Sequence, residues 1–353
     1  MTFPYLHDLL GDIFSIVPRR PVILFLVDGL GEEQLQRYAA AAPLLSDATQ
    51  NRHTRVADYP SSTPASVMSI LTASAPAHHG IVGCEYRVDH AHDLFNPLLC
   101  DPASTEKHDV GVDTFFLTLR RTGMTPTYVV PAGYVTSGFT EMSGDGATVR
   151  GYSTPSELEH ALETPGLFTY AYYSELDKAG HVFGVGSPEW LRALTEVDGL
   201  VMRIKNRLAG RDVDLIITSD HGMINVDNGP SHRFDLCDDS ELAEGVLQMG
   251  GDARAPFLYC EEGARDSVRR RWAARFGKES VVTPDDAVDQ GWIPSPSPLA
   301  KKRYGDLLIS LPANIVVFDS RAMERPTSNI GFHGARTLAE RLVPVIRFEG
   351  GAE

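Results

Sequence analysis

Cysteine is scarce in this sequence, and no two cysteines are close together. The chain of 353 residues has four, Cys84, Cys100, Cys237 and Cys260, and none belongs to a C-x-x-C pair. A zinc knuckle and a thioredoxin-type redox site are therefore not indicated. Widely spaced free thiols are typical of a reducing compartment, so we expect a cytoplasmic protein.

Basic residues and long hydrophobic runs are also in short supply. Lysine and arginine together number 32 against 47 aspartates and glutamates, which gives a formal net charge of −15. Such an acidic chain lacks the positive surface that a nucleic-acid polymer requires. No segment has the length of a membrane span, and the first residues, MTFPYLHDLLGDIF, lack the basic start and continuous apolar run of a signal peptide. We therefore expect neither nucleic acid nor a membrane as a partner, and the oligomeric state is left open.

Short apolar runs with strand character recur along the chain, and helical patterns lie between them. The strand-like runs are Val22–Val27, Thr127–Val130, Leu167–Tyr173, Val213–Thr218, Asn314–Phe318 and Val343–Phe348. The clearest helix is predicted over Ser187–Leu208, because Ser187 can cap it, Pro188 suits its first turn and apolar residues follow at helical spacing. This alternation predicts an α/β fold with a mostly parallel central sheet and helices on both of its faces.

The region from about residue 225 to residue 305 differs from the rest of the chain. It is rich in glycine, proline and charge, and its strand signals are weaker. We therefore predict an α/β core made of residues 1–224 and 306–353, with a smaller insert or cap at residues 225–305.

Aspartates follow the predicted strands at three places. Asp28, Asp177 and Asp220 each lie at or just past the end of an apolar run. In open parallel sheets the carboxyl ends of the strands meet at one edge, where ligands bind. Taken alone, Asp28 is best explained as the N-cap of a helix over Glu32–Tyr38. The repetition of the pattern favours convergence of the three carboxylates instead.

Histidines accompany two of these aspartates. Asp177 and His181 are four residues apart, so one turn of helix puts both side chains on the same face. Asp220 is followed directly by His221. Carboxylate oxygens and imidazole nitrogens are the atoms that bind Zn²⁺ in proteins. Two such pairs in one sheet suggest two adjacent divalent cations and the chemistry of phosphate esters.

A hydroxyl group stands at the predicted start of another helix. Pro64 fits the first position of a helix that runs through Leu71, which makes Thr63 its predicted N-cap. The backbone N–H groups and the dipole of a helix N-terminus favour an anion at this point. Thr63 is therefore either an ordinary capping residue or a nucleophile at a phosphate site, where a base or a metal must activate its hydroxyl.

Five phrases in the sequence resemble those of a known family. They are, in order, LFLVDGLG, YPSSTPASVMSILTASAPAHHGIVG, YYSELDKAGHVFG, LIITSDHGM and GFHG. From Pro21 to Ile346 the chain resembles the alkaline phosphatase superfamily, in its type I phosphodiesterase / nucleotide pyrophosphatase branch. The resemblance implies a hydrolase of small-molecule or nucleotide-type phosphate esters that forms a phospho-threonine intermediate on Thr63.

The resemblance also implies two metal sites and one aromatic contact. One cation is expected on Asp28, Thr63, Asp220 and His221, and the other on Asp177, His181 and His333. Zn²⁺ is the expected ion, and Mn²⁺ or iron are alternatives because this donor set accepts them. Tyr172 matches a tyrosine that stacks on the nucleobase in nucleotide-cleaving relatives, and a role as a buried core aromatic is equally compatible with its position.

Two positions depart from the pattern of the diesterases. Pro64 follows Thr63 where relatives place an aromatic residue, and Cys84 stands where they have an asparagine that binds phosphate. A thiol is a weaker hydrogen-bond donor than an amide, so the expected contact of Cys84 with the phosphate oxygen is weaker. A phosphomonoesterase on the same site is one alternative. It calls for an arginine or an extra cation near the free phosphate oxygens, and no arginine is clearly placed for this, although Arg87 lies near Cys84. A non-catalytic metal-binding protein is the other.

Overall fold

Strands and helices alternate along most of the chain. A computed structural model describes residues 3–15, 20–48, 51–88, 94–101, 110–321 and 328–351. The strands are β1 (Val22–Val27), β2 (Arg52–Val56), β3 (Tyr86–Arg87), β4 (Leu94–Phe95), β5 (Thr127–Pro131), β6 (Thr148–Tyr152), β7 (Phe168–Tyr173), β8 (Asp214–Thr218), β9 (Ile224–Asn225), β10 (Arg233–Asp235), β11 (Val246–Asp252), β12 (Ala255–Cys260), β13 (Val281–Val282), β14 (Leu307–Ile309), β15 (Val316–Phe318), β16 (Gly331–Phe332) and β17 (Leu342–Phe348). The α-helices are α1 (Leu9–Phe14), α2 (Glu32–Arg37), α3 (Pro43–Asp47), α4 (Thr63–Thr72), α5 (Pro76–His79), α6 (Phe115–Arg121), α7 (Gly138–Ser143), α8 (Pro155–Glu163), α9 (Glu175–Phe183), α10 (Pro188–Leu208), α11 (Ser240–Ala243), α12 (Arg265–Phe276), α13 (Pro284–Asp289), α14 (Pro298–Arg303) and α15 (Leu338–Arg341). Within the described ranges, no helix combines the length and the apolar character that crossing a bilayer would need.

A seven-stranded sheet lies at the centre of the fold, in the order β2-β17-β8-β1-β7-β5-β6. The run β8-β1-β7-β5-β6 is parallel throughout, and β17 is antiparallel to both β8 and β2. All residues of β1 are buried, as expected for a strand that is covered on both faces. The predicted α/β class with a mostly parallel sheet is confirmed.

Side chains of the central strands alternate between two hydrophobic clusters. On one face Leu24 of β1 belongs to the same cluster as Met68 of α4, and on the other Phe25 belongs to the cluster of Trp190 in α10. The predicted cap of α10 is present, because the hydroxyl of Ser187 accepts a hydrogen bond of 3.1 Å from the N–H of Trp190. Helices therefore cover the sheet on both sides and hold its carboxyl edge in a fixed position.

A second sheet contains β11, β12, β14 and β13, all paired antiparallel. Phe257 of β12 belongs to the cluster of α4, whereas Leu258 belongs to a separate cluster with Trp272 of α12. β15, which contains part of the predicted strand at residues 314–318, pairs with β10 and lies outside the central sheet. The division of the chain at residues 225 and 305 stays a prediction.

The predicted N-cap of α4 is wrong by one residue. The helix begins at Thr63 itself, Ser62 precedes it in an extended conformation, and no side chain caps the helix. Pro64 therefore occupies the second helical position, which is allowed because the first four N–H groups of a helix have no partner within it. Asp28 is not an N-cap either, since Gly31 precedes α2. The side chains of Thr63 and Asp28 therefore do not cap these helices and are available for other contacts.

Candidate active site

The carboxyl ends of three adjacent strands bring the predicted aspartates together. β8, β1 and β7 are neighbours in the sheet, and Asp220, Asp28 and Asp177 follow them in that order. Asp28 and Asp220 are buried, and Asp177 is half-buried in the first turn of α9. Gly29, with a φ of 75°, permits this close approach, because a Cβ at Gly29 would lie 3.1 Å from the Cα of Asp177. The three carboxylates therefore share one edge of the sheet.

Three histidines are oriented towards the same edge by main-chain carbonyl groups. The Nδ1 atoms lie within hydrogen-bond distance of a carbonyl oxygen, at 2.8 Å for His181 and Gly331, 3.0 Å for His221 and Gly222, and 3.0 Å for His333 and Ser61. Because a carbonyl oxygen only accepts, each Nδ1 carries a proton and donates it. Each ring then presents its Nε2 atom to the cluster, which is how proteins orient a histidine that binds a metal.

In the described part of the chain, each of the three aspartates has one carboxylate oxygen without a hydrogen bond. Oδ1 of Asp28, Oδ1 of Asp177 and Oδ2 of Asp220 are buried and have no hydrogen-bond partner among the described residues. The second oxygen of Asp220 accepts from the N–H of Gly29 at 3.3 Å, and the second oxygen of Asp28 accepts from the hydroxyl of Tyr172. A buried carboxylate oxygen without a partner is costly unless a cation binds it. The donor set therefore fits divalent metal ions.

The electrostatics of the cluster point the same way. Nε2 of His221 lies 3.3 Å from Oδ1 of Asp28 and 3.5 Å from Oδ2 of Asp220, so one cation placed among these three atoms can contact all of them. Burial, and then the neighbouring His221, lowers the pKa of His333 well below its usual value, so this ring is neutral. Burial, and then the charge of Asp220, raises the pKa of Asp28. A metal ion bound here would lower the pKa of Asp28 again, because its positive charge favours the ionised carboxylate.

The ligand atoms form two groups that share one histidine. Within each group the atoms lie within 4.8 Å of one another, and the groups are Asp28 with Asp220 and His221, and Asp177 with His221 and His333. The rings of His221 and His333 stack with centroids 3.6 Å apart, which places His221 between the two groups. His181, expected beside Asp177 and His333, lies next to both, with Nε2 at 3.4 Å from Oδ2 of Asp177 and ring centroids 5.1 Å from His333. The predicted ligands thus lie in one cluster. The grouping differs from the expected one because His221 belongs to both groups and His181 lies beside the second group without belonging to it.

Thr63 faces this cluster from the N-terminus of α4. Its Oγ1 lies 3.2 Å from Nε2 of His221. The segment before the helix is fastened to the segment that carries His333, because the N–H of Ser61 donates to the carbonyl of Gly334 at 3.0 Å. The hydroxyl therefore stands at a helix end that favours anions, beside the atoms that fit a metal ion.

A cavity of about 610 Å³ adjoins the cluster. Part of its wall consists of the polar residues Asp28, Thr63, Asp177, His181 and His333. Another part is apolar and comes from α4, β5 and α7, through Val67, Tyr128, Val130 and Phe139. The described lining residues include no arginine. A ligand in this cavity would contact the candidate metal cluster and an apolar surface together.

The two predicted substrate contacts, Cys84 and Tyr172, both line this cavity. Cys84 is half-buried. Tyr172 is a half-buried residue of β7 that donates to Asp28, and its ring centroid lies 6.4 Å from that of Tyr134. Burial, and then the charge of Asp28, raises the pKa of Tyr172 well above its usual value, so the hydroxyl keeps its proton and remains a donor. A contact with substrate stays a prediction for both residues.

Sequence reasoning missed other polar residues that line the cavity, among them Lys178, Asn329 and Asp252. Lys178 lies within the D-K-A-G-H phrase, three positions before His181, and helical spacing was a usable signal for it. Asn329 places its Nδ2 atom 3.4 Å from Nδ1 of His181. Asp252 comes from β11 of the second sheet, so no local pattern connects it with the other residues.

Proteins of similar sequence are phosphodiesterases. The sequence model of the type I phosphodiesterase / nucleotide pyrophosphatase family matches residues 22–336. Ectonucleotide pyrophosphatase/phosphodiesterase family member 3 of Mus musculus is 29% identical over 227 residues, which cover 58% of this chain and 25% of the mouse protein. Family member 1 of Homo sapiens is 27% identical over 228 residues, which cover 58% of this chain and 23% of the human protein. The chain thus spans about a quarter of the length of these curated relatives.

Solved structures share the fold. Phosphonoacetate hydrolase from Sinorhizobium meliloti, in complex with phosphonoformate, matches with a TM-score of 0.69 and 18% identity over 94% of this chain and 90% of that chain. An inactive form of murine ectonucleotide pyrophosphatase / phosphodiesterase 5, in complex with AMP, matches with a TM-score of 0.71 and 15% identity over 95% of this chain and 89% of that chain. At these identities the likeness shows the fold alone. The match over residues 22–336 shows more, and it confirms that this chain belongs to the type I phosphodiesterase / nucleotide pyrophosphatase family of phosphoric ester hydrolases, within the alkaline phosphatase superfamily.

Proposed function

We propose that the protein is a metal-dependent phosphodiesterase of the nucleotide pyrophosphatase type, with Thr63 as its nucleophile. The observation that carries the proposal is the position of the Thr63 hydroxyl. It lies at the N-terminus of α4, 3.2 Å from Nε2 of His221, and Thr63 lines the cavity beside the carboxylates and imidazoles. Oxygen and nitrogen donors of this kind around one hydroxyl suit transfer of a phosphoryl group.

The cluster supports two divalent cations. We assign Asp28, Asp220 and His221 with Thr63 to one ion, and Asp177, His181 and His333 to the other, as the resemblance to the family implies. The ligand atoms themselves group as Asp28 with Asp220 and His221, and as Asp177 with His221 and His333, and His181 lies beside the second group. Zn²⁺ is the ion we propose, with Mn²⁺ or iron as alternatives, because both carboxylate and imidazole ligands are present. When bound, such cations supply the charge that stabilises a phosphoryl group and lowers the pKa of a coordinated hydroxyl.

The residues of the chain then perform a two-step displacement. Oγ1 of Thr63 attacks phosphorus and loses its proton to solvent, while the bond between phosphorus and the leaving oxygen breaks and the leaving group takes up a proton. The N-terminus of α4 favours the negative charge of the phosphoryl group on Thr63. Tyr172 holds the carboxylate of Asp28 in place through its hydrogen bond. Water then hydrolyses the phospho-threonine, which restores the hydroxyl and releases a phosphate monoester.

The cavity favours a diester over a monoester. A diester carries two substituents, and the apolar wall beside Thr63 offers one of them a surface that is shielded from water. A monoester has an additional negative charge and calls for an arginine or another cation; the described lining residues include no arginine, and Lys178 is the one lysine among them. Arg87, the candidate in the sequence, donates to Gln248 at 2.7 Å and lies 4.3 Å from the ring of Tyr259 instead.

A small phosphate ester or a nucleotide is the substrate class we propose. The relatives are named for nucleotide pyrophosphatase activity, and one structure of similar fold contains AMP. Tyr172 and Cys84 are the residues proposed to contact the substrate, because both line the cavity. No disulfide joins the four cysteines, so a reducing cytoplasm stays part of the proposal.

A panel of esters tests this function. The purified protein is stripped of metal, reloaded with Zn²⁺ or Mn²⁺, and assayed with bis-p-nitrophenyl phosphate, the p-nitrophenyl ester of thymidine 5′-monophosphate, and p-nitrophenyl phosphate. We expect kcat/KM for the diesters to exceed that for the monoester by about tenfold or more. Turnover should disappear on chelation and return with the metal.

Two other results would change the conclusion. Faster hydrolysis of p-nitrophenyl phosphate than of either diester would identify a phosphomonoesterase on the same site. Fewer than two bound ions per chain by elemental analysis, together with no hydrolysis of any ester, would point to a non-catalytic metal-binding protein.

A further inference from the structure

Lys178 is the lysine of the cavity that the proposed reaction leaves without a role. It lies in α9 between the candidate ligands Asp177 and His181. Ser174, Asp177, Lys178 and His181 all line the cavity, and their spacing matches one face of a helix. Among the described lining residues it is the only lysine, and no arginine is present. Its ammonium group is therefore the one lysine or arginine cation among the described lining residues, and it lies on the same helix face as two candidate metal ligands.

The present partner of Lys178 is weakly bound. Its Nζ lies 2.7 Å from Oε1 of Glu175, and both side chains are about half exposed, at 50% and 53%. Ion pairs exposed to this degree contribute little, because water screens the charges and the side chains lose freedom. Nζ also lies 5.9 Å from the ring centroid of Tyr134, another lining residue, so the ammonium group lies near the cavity wall. The ammonium can thus exchange Glu175 for an anion of the ligand.

The charge of the neighbouring metal cluster also favours an anion beside the ammonium group of Lys178. If the neighbouring cluster holds two divalent cations, their four positive charges exceed the three negative charges of Asp28, Asp177 and Asp220, so an ammonium group on the same helix face meets a net positive charge that repels it. A negative group between them and the ammonium relieves this repulsion. The phosphoryl group that reacts is already neutralised by the cluster, so a second negative group on the substrate is the one available to Lys178.

We propose that Lys178 is a specificity residue that binds a second anionic group of the substrate, a carboxylate or a phosphate that is not hydrolysed. The proposal rests on the proposed function, since it assumes that the reacting phosphoryl group lies at Thr63. Lys178 would thus select those phosphate esters whose substituent carries a negative charge of its own.

Binding measurements test this directly and require no turnover. The metal-loaded protein is titrated calorimetrically with propylphosphonate, 3-phosphonopropionate and 1,2-ethylenediphosphonate. The first two differ in a terminal methyl or carboxylate group, and the third carries a second phosphonate. Lys178→Met should weaken the binding of 3-phosphonopropionate, of ethylenediphosphonate or of both by about tenfold. The affinity for propylphosphonate should stay within about twofold of the wild-type value. The ligand whose affinity falls identifies the second group as a carboxylate or a phosphate.

Three further variants make the result specific. Lys178→Arg should restore the affinity, because it keeps the charge. Glu175→Gln should tighten binding of the responding ligand by about two- to threefold, since it removes the competing carboxylate. Lys205→Met is the matched control, because Lys205 packs on Phe348 at the opposite end of the sheet and should change nothing.

The outcomes separate this proposal from the proposed function. If Lys178→Met leaves the affinity for all three ligands within about twofold, or weakens propylphosphonate equally, the specificity role is overturned. If the protein binds the ligands as expected but hydrolyses no ester, the proposed function fails and the role of Lys178 in binding stands.

Discussion

Oγ1 of Thr63 lies 3.2 Å from Nε2 of His221, at the N-terminus of α4. Thr63→Ala removes the proposed nucleophile, so we expect kcat to fall by about a thousandfold or more. Thr63→Ser keeps a hydroxyl and should stay within about tenfold of the wild type. Steady-state kinetics measure both, and mass spectrometry of acid-quenched protein should locate phosphate on Thr63. Turnover by Thr63→Ala close to that of the wild type would refute the assignment.

Asp28 makes the metal-free protein sensitive to pH. Burial and the charges of Asp220 and Asp177 raise its pKa, so the folded chain holds this proton to a higher pH than the unfolded chain does. The associated stability is fully present below the ordinary pKa of about 3.9 and is lost as the pH rises through the folded value. Asp28→Asn removes this loss. Thermal scans in chelator at pH 8 should show a higher Tm for the variant, by about 2–5 °C.

The same variant should lose the response to metal. The wild type is expected to gain Tm when Zn²⁺ is added, because the ions bind only the folded chain. Asp28→Asn should gain much less. A variant that is destabilised in chelator, or that gains as much from Zn²⁺ as the wild type, would contradict this account of the carboxylate cluster.

Cys84 offers a gain-of-function test. It lines the cavity, the resemblance to the diesterases implies an asparagine at its position, and a thiol donates more weakly than an amide does. Cys84→Asn should therefore raise kcat/KM for bis-p-nitrophenyl phosphate, by about tenfold if the amide reaches the phosphoryl oxygen. Cys237→Asn is the control, because Cys237 is exposed. Equal or lower activity of Cys84→Asn would show that another group binds this oxygen.

Arg254 and Glu340 form a buried ion pair that supports the loop of His333. Arg254 donates through Nη2 at 2.8 Å and through Nε at 3.1 Å, and both residues have 0% exposure. Glu340 also accepts from the N–H of Ala335, two residues after His333. Arg254→Met leaves a buried carboxylate unpaired, so we expect the free energy of unfolding in urea to fall by about 3–5 kcal/mol. The double variant Arg254→Met/Glu340→Leu should lose less than Arg254→Met alone, and a larger loss would contradict this interpretation.

The sequence was sufficient for those parts of the site that follow regular structure. Asp28, Asp177 and Asp220 were identifiable because each follows a buried parallel strand, and the three strands lie side by side. The start of α4 was misplaced by one residue, because a proline is tolerated throughout the first turn of a helix, where the N–H groups have no partner within the helix.

Contacts between distant segments were beyond such reasoning. The hydrogen bond from Tyr172 to Asp28 depends on the register in which β7 pairs with β1, which no local pattern specifies. Asp252 reaches the cavity only because the second sheet packs beside the first. The edge strand β2 was missed because its charged and half-exposed residues lack a hydrophobic pattern.

The candidate ligands belong to five separate segments, from the end of β1 to the loop that follows β16. Metal ions bound there would join points of the chain that are otherwise connected only through long stretches of sequence, from Asp28 to His333. A cross-link restricts an unfolded chain more when the loop it closes is longer. Metal occupancy would then govern how readily proteases cut this protein, and a preparation exposed to chelator would be degraded faster even where no substrate is present.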